Sequence, residues 1–227
     1  MMQTIYRLPF RLLGIPIQLD LTFLLVLPLL AWLIGSEIDR LSEAFGLRAV
    51  EGRTGGVVAS YLIGFLCALG LFLSVLIHEL GHSFVGQKFH LKIRSITLWI
   101  LGGMAQFESI PRRKGTEAVM AMAGPVTSLL VGLVSWILLR ATPDGLPALQ
   151  FVFAYLMFMN WVLAGFNLLP ALPLDGGRIF RSLLALKFSF VRATQIAAGV
   201  SKILAIFLGL FGLLVQNFWM ILLAFFI

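Results

Sequence analysis

The chain has 227 residues, 60% of them hydrophobic and only 12% charged, with a mean hydropathy of +1.01. A soluble domain of this size carries about a quarter of its residues as charges, so the composition excludes a protein dispersed in water and requires lipid over much of the surface. The net charge of +7 falls in short basic clusters between apolar runs, which is the pattern of topogenic charges and excludes a nucleic-acid-binding face.

Taken in chain order, Arg7 to Leu19 reads as a short strand pair around Gly14. Arg7, Arg11 and two prolines precede the first long apolar run, so no cleavable signal peptide is expected. A membrane-crossing helix needs about twenty mostly apolar residues. Leu19 to Ile34, opening with Asp20, is the first candidate; Val57 to Ile77 is the second and continues into a polar motif. Cys67 lies in that run as the single cysteine, a packing residue that leaves no intramolecular disulfide and no thiolate zinc site. Lys92 to Glu108 is rich in β-branched and aromatic residues around Gly102-Gly103 and reads as a hairpin with a glycine turn. Backbone of that kind is tolerated at membrane depth only where its polar groups are paired or face protein or water.

Glu117 to Leu139 is the third span, and its Gly124, Ser128 and Gly132, four apart, make a face that another helix can approach closely. Ala148 to Phe166 is the fourth. Ala193 to Ile227 is long enough for a fifth and a short sixth, with Gln216 and Asn217 at the turn. The expected fold is a polytopic α-helical membrane protein with about six transmembrane helices and a small membrane-associated β-hairpin or sheet. Residues 1–227 form one membrane domain, and the apolar end of the chain fits a soluble domain lying beyond it.

Lysines and arginines in short loops set the direction of the spans. Arg7, Arg11, Lys88, Lys92, Arg94, Arg112, Arg113, Lys114, Arg178, Arg181, Lys187 and Arg192 collect on one side. The other side holds Arg40, Arg48, Arg53 and Arg140, offset by Glu37, Asp39, Glu43, Glu51 and Asp144. With six spans, both termini face the cytoplasm, and the second and fourth spans end in the same leaflet.

Where the second span ends, the sequence is His78-Glu79-Leu80-Gly81-His82. Residues i and i+4 share a helix face, so both imidazoles can hold one metal from the same side. Glu79 projects about 100° away, within reach of a water at that metal. Such a water, brought to a pKa of about 7 by zinc, can lose its proton to the carboxylate as it attacks a carbonyl. Three ionisable side chains in five residues are costly to keep in a span without a function.

A catalytic zinc takes three protein ligands. His90 follows His82 by eight residues, in a basic stretch between Lys88 and Lys92, and soluble enzymes with a third helix-proximal histidine use six. Asp175 is the better candidate, within Asn167-Leu-Leu-Pro-Ala-Leu-Pro-Leu-Asp175-Gly176-Gly177 at the end of the fourth span. Two prolines break the helix there. Irregular backbone carrying Asn and Asp at a membrane edge marks a site, although in isolation Asp175 would serve equally as a helix cap or a partner of Arg178.

The paired motifs, in this order and on apolar spans, resemble the site-2 protease family of intramembrane zinc metalloproteases, over most of the chain. The resemblance implies that His78, His82 and Asp175 bind one zinc ion and that Glu79 is the catalytic base. It implies that Asn167 positions substrate or stabilises the oxyanion, and it likens the hairpin to the family's membrane-associated sheet; an exposed edge of that hairpin, at Gly102 and Gly103, is expected to bind the extended substrate by strand addition. The substrates it implies are transmembrane proteins: transcription-factor precursors, anti-sigma factors or signal-peptide remnants. The segment Ala123-Gly124-Pro125-Val126-Thr127-Ser128 is similar to a small-residue motif of the same family and is read as packing. No insertion between the motifs is long enough for a PDZ domain.

Three other readings compete. A transporter or channel with a bound metal would show broken helices in matching halves, and only one proline-broken segment is present. A relative that binds without cutting would lack Glu79 or a ligand, and all are present. A membrane di-iron enzyme needs more than three histidines.

Overall fold

The computed structural model describes residues 5–47, 56–99, 102–108 and 115–227. The chain begins with strands β1 (Ile5–Leu12) and β2 (Ile15–Asp20), then helices α1 (Leu21–Ser36), α2 (Ile38–Ala44) and α3 (Val57–Lys88). Strands β3 (Ile93–Trp99) and β4 (Gly102–Phe107) follow, then α4 (Thr116–Ala141), α5 (Pro147–Asn167), α6 (Asp175–Leu184), α7 (Phe190–Leu214) and α8 (Phe218–Phe226). Arg48, Glu51, Arg53, Arg112, Arg113 and Lys114, used above to orient the spans, lie outside the described residues.

Among the described residues, four helices are long and apolar enough to cross a membrane: α3, α4, α5 and α7. The pair α1 and α2, bent by 66°, makes a fifth if taken as one span. The six expected crossings are therefore not all met by length. The nine residues of α8 rise about 13 Å, short of the roughly 30 Å hydrocarbon core. Leu62, Leu66, Leu69 and Leu73 of α3 and Leu130, Val134 and Ile137 of α4 stay exposed on the outer faces. Helices satisfy their own backbone groups, so these faces are stable against lipid tails, and the molecule is an integral membrane protein.

Asp20, the acid that opens the first apolar run, is the N-cap of α1 and accepts from the Thr22 amide at 2.9 Å. The Thr22 hydroxyl and amide hold its carboxyl below the usual carboxylate range. Asn217 caps α8 in the same way, accepting from Met220, so the turn expected at Gln216 and Asn217 is present.

The hairpin around Gly14 is also present, and it belongs to a larger unit than the sequence indicated. The two hairpins join in one four-stranded sheet of order β1-β2-β3-β4, with β2 and β3 parallel in the register Ile17↔Ile96 and Leu19↔Leu98. The chain between them runs through α1 and α3, as a parallel pair requires. Ile15, Ile17, Ile96 and Leu98 turn inward onto Phe23 and Val26 of α1 and Phe72 and Leu76 of α3. The Phe23 and Phe72 rings meet edge to face at 4.5 Å. This core fixes the sheet against the lower half of α3, immediately before the His-Glu motif.

The second hairpin departs from the expected detail. Trp99 pairs with Gly102, so Gly102 and Gly103 are the first residues of β4. Residues 100–101, between the two strands, lie outside the described residues.

Helix α4 packs against both α3 and α5. Asn160 of α5 donates to Ser74 of α3 at 2.9 Å, a polar bond within the apolar interior. Cys67, fully buried among α3 and α5 side chains, packs as expected.

Candidate metal centre

On α3, one helical turn separates His78 from His82, and both rings are buried, with centroids 4.8 Å apart. Asp175, also buried, is the first residue of α6, where a carboxylate is favoured by the N-terminal dipole. Its Oδ2 lies 3.2 Å from His78 Nε2 and 3.1 Å from His82 Nε2, and the two Nε2 atoms are 3.1 Å apart. The sequence expectation that these three side chains meet is thus realised, across 93 residues of chain for the nearer pair.

Three donor atoms about 3 Å apart fit one face of a tetrahedron, whose edge is roughly 3.3 Å for bonds of about 2.0–2.1 Å. The ring orientations fit as well. His82 donates Nδ1–H to the Met120 carbonyl at 2.8 Å, which leaves the Nε2 lone pair aimed at the shared point. His78 Nδ1 is held by the Ser128 hydroxyl at 2.9 Å. Such outer bonds are the usual means of orienting metal-binding imidazoles.

Met120, Gly124 and Ser128 stand on one face of α4, four residues apart, and that face carries the imidazole supports. Gly124, read from sequence as a packing residue, lies directly on the histidines. A Cβ there would overlap His82 Nε2 and stand 2.6 Å from His78 Nε2. Gly132 fits the packing reading, since its missing Cβ makes room for the Trp161 indole of α5.

Asp175 is brought to the site by the broken segment between α5 and α6. The expectation of irregular backbone holds for residues 168–174, while Asn167 ends α5 and Asp175 begins α6. The segment folds back over the start of α6, so that a Cβ on Gly176 would overlap the carbonyl oxygens of Leu168 and Leu169. The Leu172 amide donates to Ser201 of α7 at 2.7 Å and pins the segment from outside.

Glu79 is half-buried at the rim, where its Oε2 accepts the Ala105 amide of β4 at 3.2 Å. Gly103 packs against it, since a Cβ there would be 2.6 Å from Glu79 Cγ. Asn167 donates to the Leu163 carbonyl at 3.0 Å. A cleft of about 430 Å³ joins these groups, with Gly102, Gly103, Phe166 and Phe226 also in its walls. An apolar cleft with a few convergent polar groups is the usual form of a binding site. His90 is exposed, with a left-handed φ of 59° in the turn after α3, and is not part of the group.

With this arrangement in view, the family model of peptidase family M50 matches residues 66–144 and 145–208, a span that takes in both motifs. A zinc metalloprotease of Methanocaldococcus jannaschii is 36% identical over 218 residues, covering 96% of this chain and 57% of the relative. Stage IV sporulation protein FB of Bacillus subtilis is 29% identical over 70% of this chain and 54% of its own. Among solved structures, the site-2 protease from M. jannaschii superposes with a TM-score of 0.65 at 36% identity, over 98% of this chain and 91% of that one. The chain belongs to peptidase family M50, the site-2 protease family. It spans about half the length of the curated relatives it matches.

Proposed function

We propose that this chain is the membrane-embedded catalytic part of a zinc metalloprotease that hydrolyses peptide bonds within transmembrane segments of other proteins. The observation that carries the reading is the meeting of His78, His82 and Asp175 beside Glu79, in a cleft among apolar helices. The naming of relatives as zinc metalloproteases supports it.

When bound, zinc supplies a Lewis acid that polarises a carbonyl and brings the pKa of water to about 7. His78, His82 and Asp175 would hold one ion per chain, since His78 Nε2, His82 Nε2 and Asp175 Oδ2 face one another. Glu79 accepts the proton of the attacking water and returns it to the leaving amine. Asn167 donates an amide hydrogen to the carbonyl oxygen as charge develops there. Purified protein is expected to carry about one zinc per chain, and Asp175→Ala to lose both metal and cleavage. Full occupancy with activity intact in that variant would remove Asp175 from the ligand set.

A substrate carbonyl within a helix is engaged in its own hydrogen bond and shielded by side chains. Unwinding in lipid strands polar backbone groups at several kcal/mol each unless new partners appear. The partner proposed is β4, an edge of the sheet whose Ala105 amide already points at Glu79 and whose Gly102 and Gly103 line the cleft. An extended substrate added there as a fifth strand would lie across the metal ligands. Ala105→Pro should slow cleavage severalfold with zinc content unchanged. Equal rates for that variant, on a native and on an all-leucine substrate helix, would dispose of strand addition.

With the α1–α2 pair counted as a crossing, the basic loops put the N-terminus and the metal site on the cytoplasmic side. Single cysteines at positions 88 and 187, in a Cys67→Ser background, should then react with reagent from the cytoplasmic face; reaction only from outside would invert the topology. Substrates are sought among membrane-bound transcription-factor precursors, anti-sigma factors and signal-peptide remnants. Comparing membrane proteomes of the wild type and a Glu79→Gln trap tests these classes, and no accumulated species in the trap would rule them out.

A further inference from the structure

The two oxygens of Asp175 have different neighbours. Oδ2 faces the histidine pair, and Oδ1 lies 3.6 Å from Nη1 of Arg178, one turn along α6. The same guanidinium places its Nε 3.8 Å from Oε1 of Glu117, a buried residue in the first turn of α4. Glu117 is paired as well with Arg181, the next turn of α6. The Ala118 amide donates to Ser182 at 3.2 Å, so the two helix starts are fastened together around these charges. Arg178 also forms part of the cleft wall.

A carboxylate can meet a metal through one oxygen or through both. If both bind, the second occupies a position that an open catalytic site keeps for water. We propose that Arg178, held in place by Glu117, is a positioning residue that keeps Oδ1 of Asp175 turned away from the histidine pair, so that Asp175 offers one oxygen to the metal. The proposal rests on the metal reading given above. The flat guanidinium suits the task because it addresses two carboxylates at once through separate nitrogens, which the point charge of a lysine does not. Buried Glu117 has a plain role in this arrangement, since it anchors the arginine without touching the metal ligands. Its second partner matters for testing. Removing Arg178 leaves the Glu117–Arg181 pair intact, so no buried carboxylate is stranded.

Cobalt(II) is the probe, because its visible spectrum distinguishes four-coordinate from higher-coordinate sites. Full-length protein in detergent would be loaded with cobalt as wild type, Arg178→Gln, Arg178→Lys and Glu117→Gln. The wild type is expected to show the intense bands of a four-coordinate ion. Arg178→Gln should lose intensity, and Arg178→Lys and Glu117→Gln should move the same way by smaller amounts. In parallel, kcat should fall in the same order while KM stays near the wild-type value. An Arg178→Gln spectrum identical to wild type would overturn the proposal, because a purely structural ion pair would leave the cobalt bands unmoved. If Arg178→Gln is not recovered folded, Arg178→Lys and Glu117→Gln decide it by the same criterion. Failure of the wild type to take up cobalt at all would instead bring down the metal centre, and this role with it.

Discussion

Glu79→Gln is expected to lower kcat for a transmembrane substrate by about 10²–10⁴-fold, the usual contribution of a positioned general base, while zinc content stays at the wild-type level. Glutamine keeps the shape of the side chain and an oxygen to accept the Ala105 amide, so the contact between α3 and β4 survives. It also leaves His78, His82 and Asp175 untouched. What disappears is the capacity to take a proton. Asn167→Ala should cost less, on the order of 10²–10³ in kcat if its amide supplies an oxyanion donor. The Asn167 amide is bonded to Leu163 within its own helix, so the fold does not depend on it. Cleavage and metal content measured on the same preparations separate the two roles. A Glu79→Gln enzyme within tenfold of wild type would mean that another group accepts the proton, and an unaltered Asn167→Ala would reduce Asn167 to a shaping role.

Much of the centre was legible because its chemistry is rare in its setting. Histidine and glutamate are expensive within apolar spans, so His78, Glu79 and His82 stood out from the sequence by their presence alone, and Asp175 stood out once that two-histidine motif called for a third ligand. Direction supplied the rest, since two spans ending in the same leaflet can bring their ends together. Several features were not legible because they depend on pairings between distant segments. The union of two hairpins into one sheet rests on the parallel pairing of Ile17 with Ile96, and no local pattern records it. The support of the imidazoles by the Met120 carbonyl and by Ser128 was hidden because a backbone carbonyl has no sequence signature and a span serine reads as packing. A usable signal was nonetheless present. Met120, Gly124 and Ser128 repeat every four residues, and only the middle one lacks a side chain.

The glycine pairs illustrate the same limit. Gly102-Gly103 was legible as a break near a hairpin turn, whereas the requirement for Gly103 comes from Glu79, 24 positions earlier by number, pressing on the strand. Gly176-Gly177 follows Asp175 because the proline-broken segment crosses over the start of α6. At Gly103 the residue type is dictated by a side chain, and at Gly176 and Gly177 by backbone, approaching from elsewhere in the chain, which is why these glycines border the centre.

Gly124→Ala should abolish zinc binding and cleavage together, although alanine is the better residue for a helix. In isolation the change favours α4 by roughly 1 kcal/mol. The added methyl, however, would lie 2.5 Å from His82 Cε1 and 2.6 Å from His78 Nε2, in the space where the two rings converge. Rotating the rings away breaks their bonds to Met120 and Ser128 and turns Nε2 off the shared point. Withdrawing α4 is no easier, because the same two helices touch again where Gly81 of α3 meets Thr127 and the Ala123 carbonyl. The expected protein is therefore folded, with wild-type helix content and elution volume, but without metal. Gly132→Ala is the matched control. It adds the same methyl to the same helix, facing Trp161 and not the histidines, so it should disturb the α4–α5 contact and leave zinc in place. A Gly124→Ala protein that retains one zinc per chain and cuts at the wild-type rate would show that the imidazoles have another arrangement available, and that the face of α4 does not set their geometry.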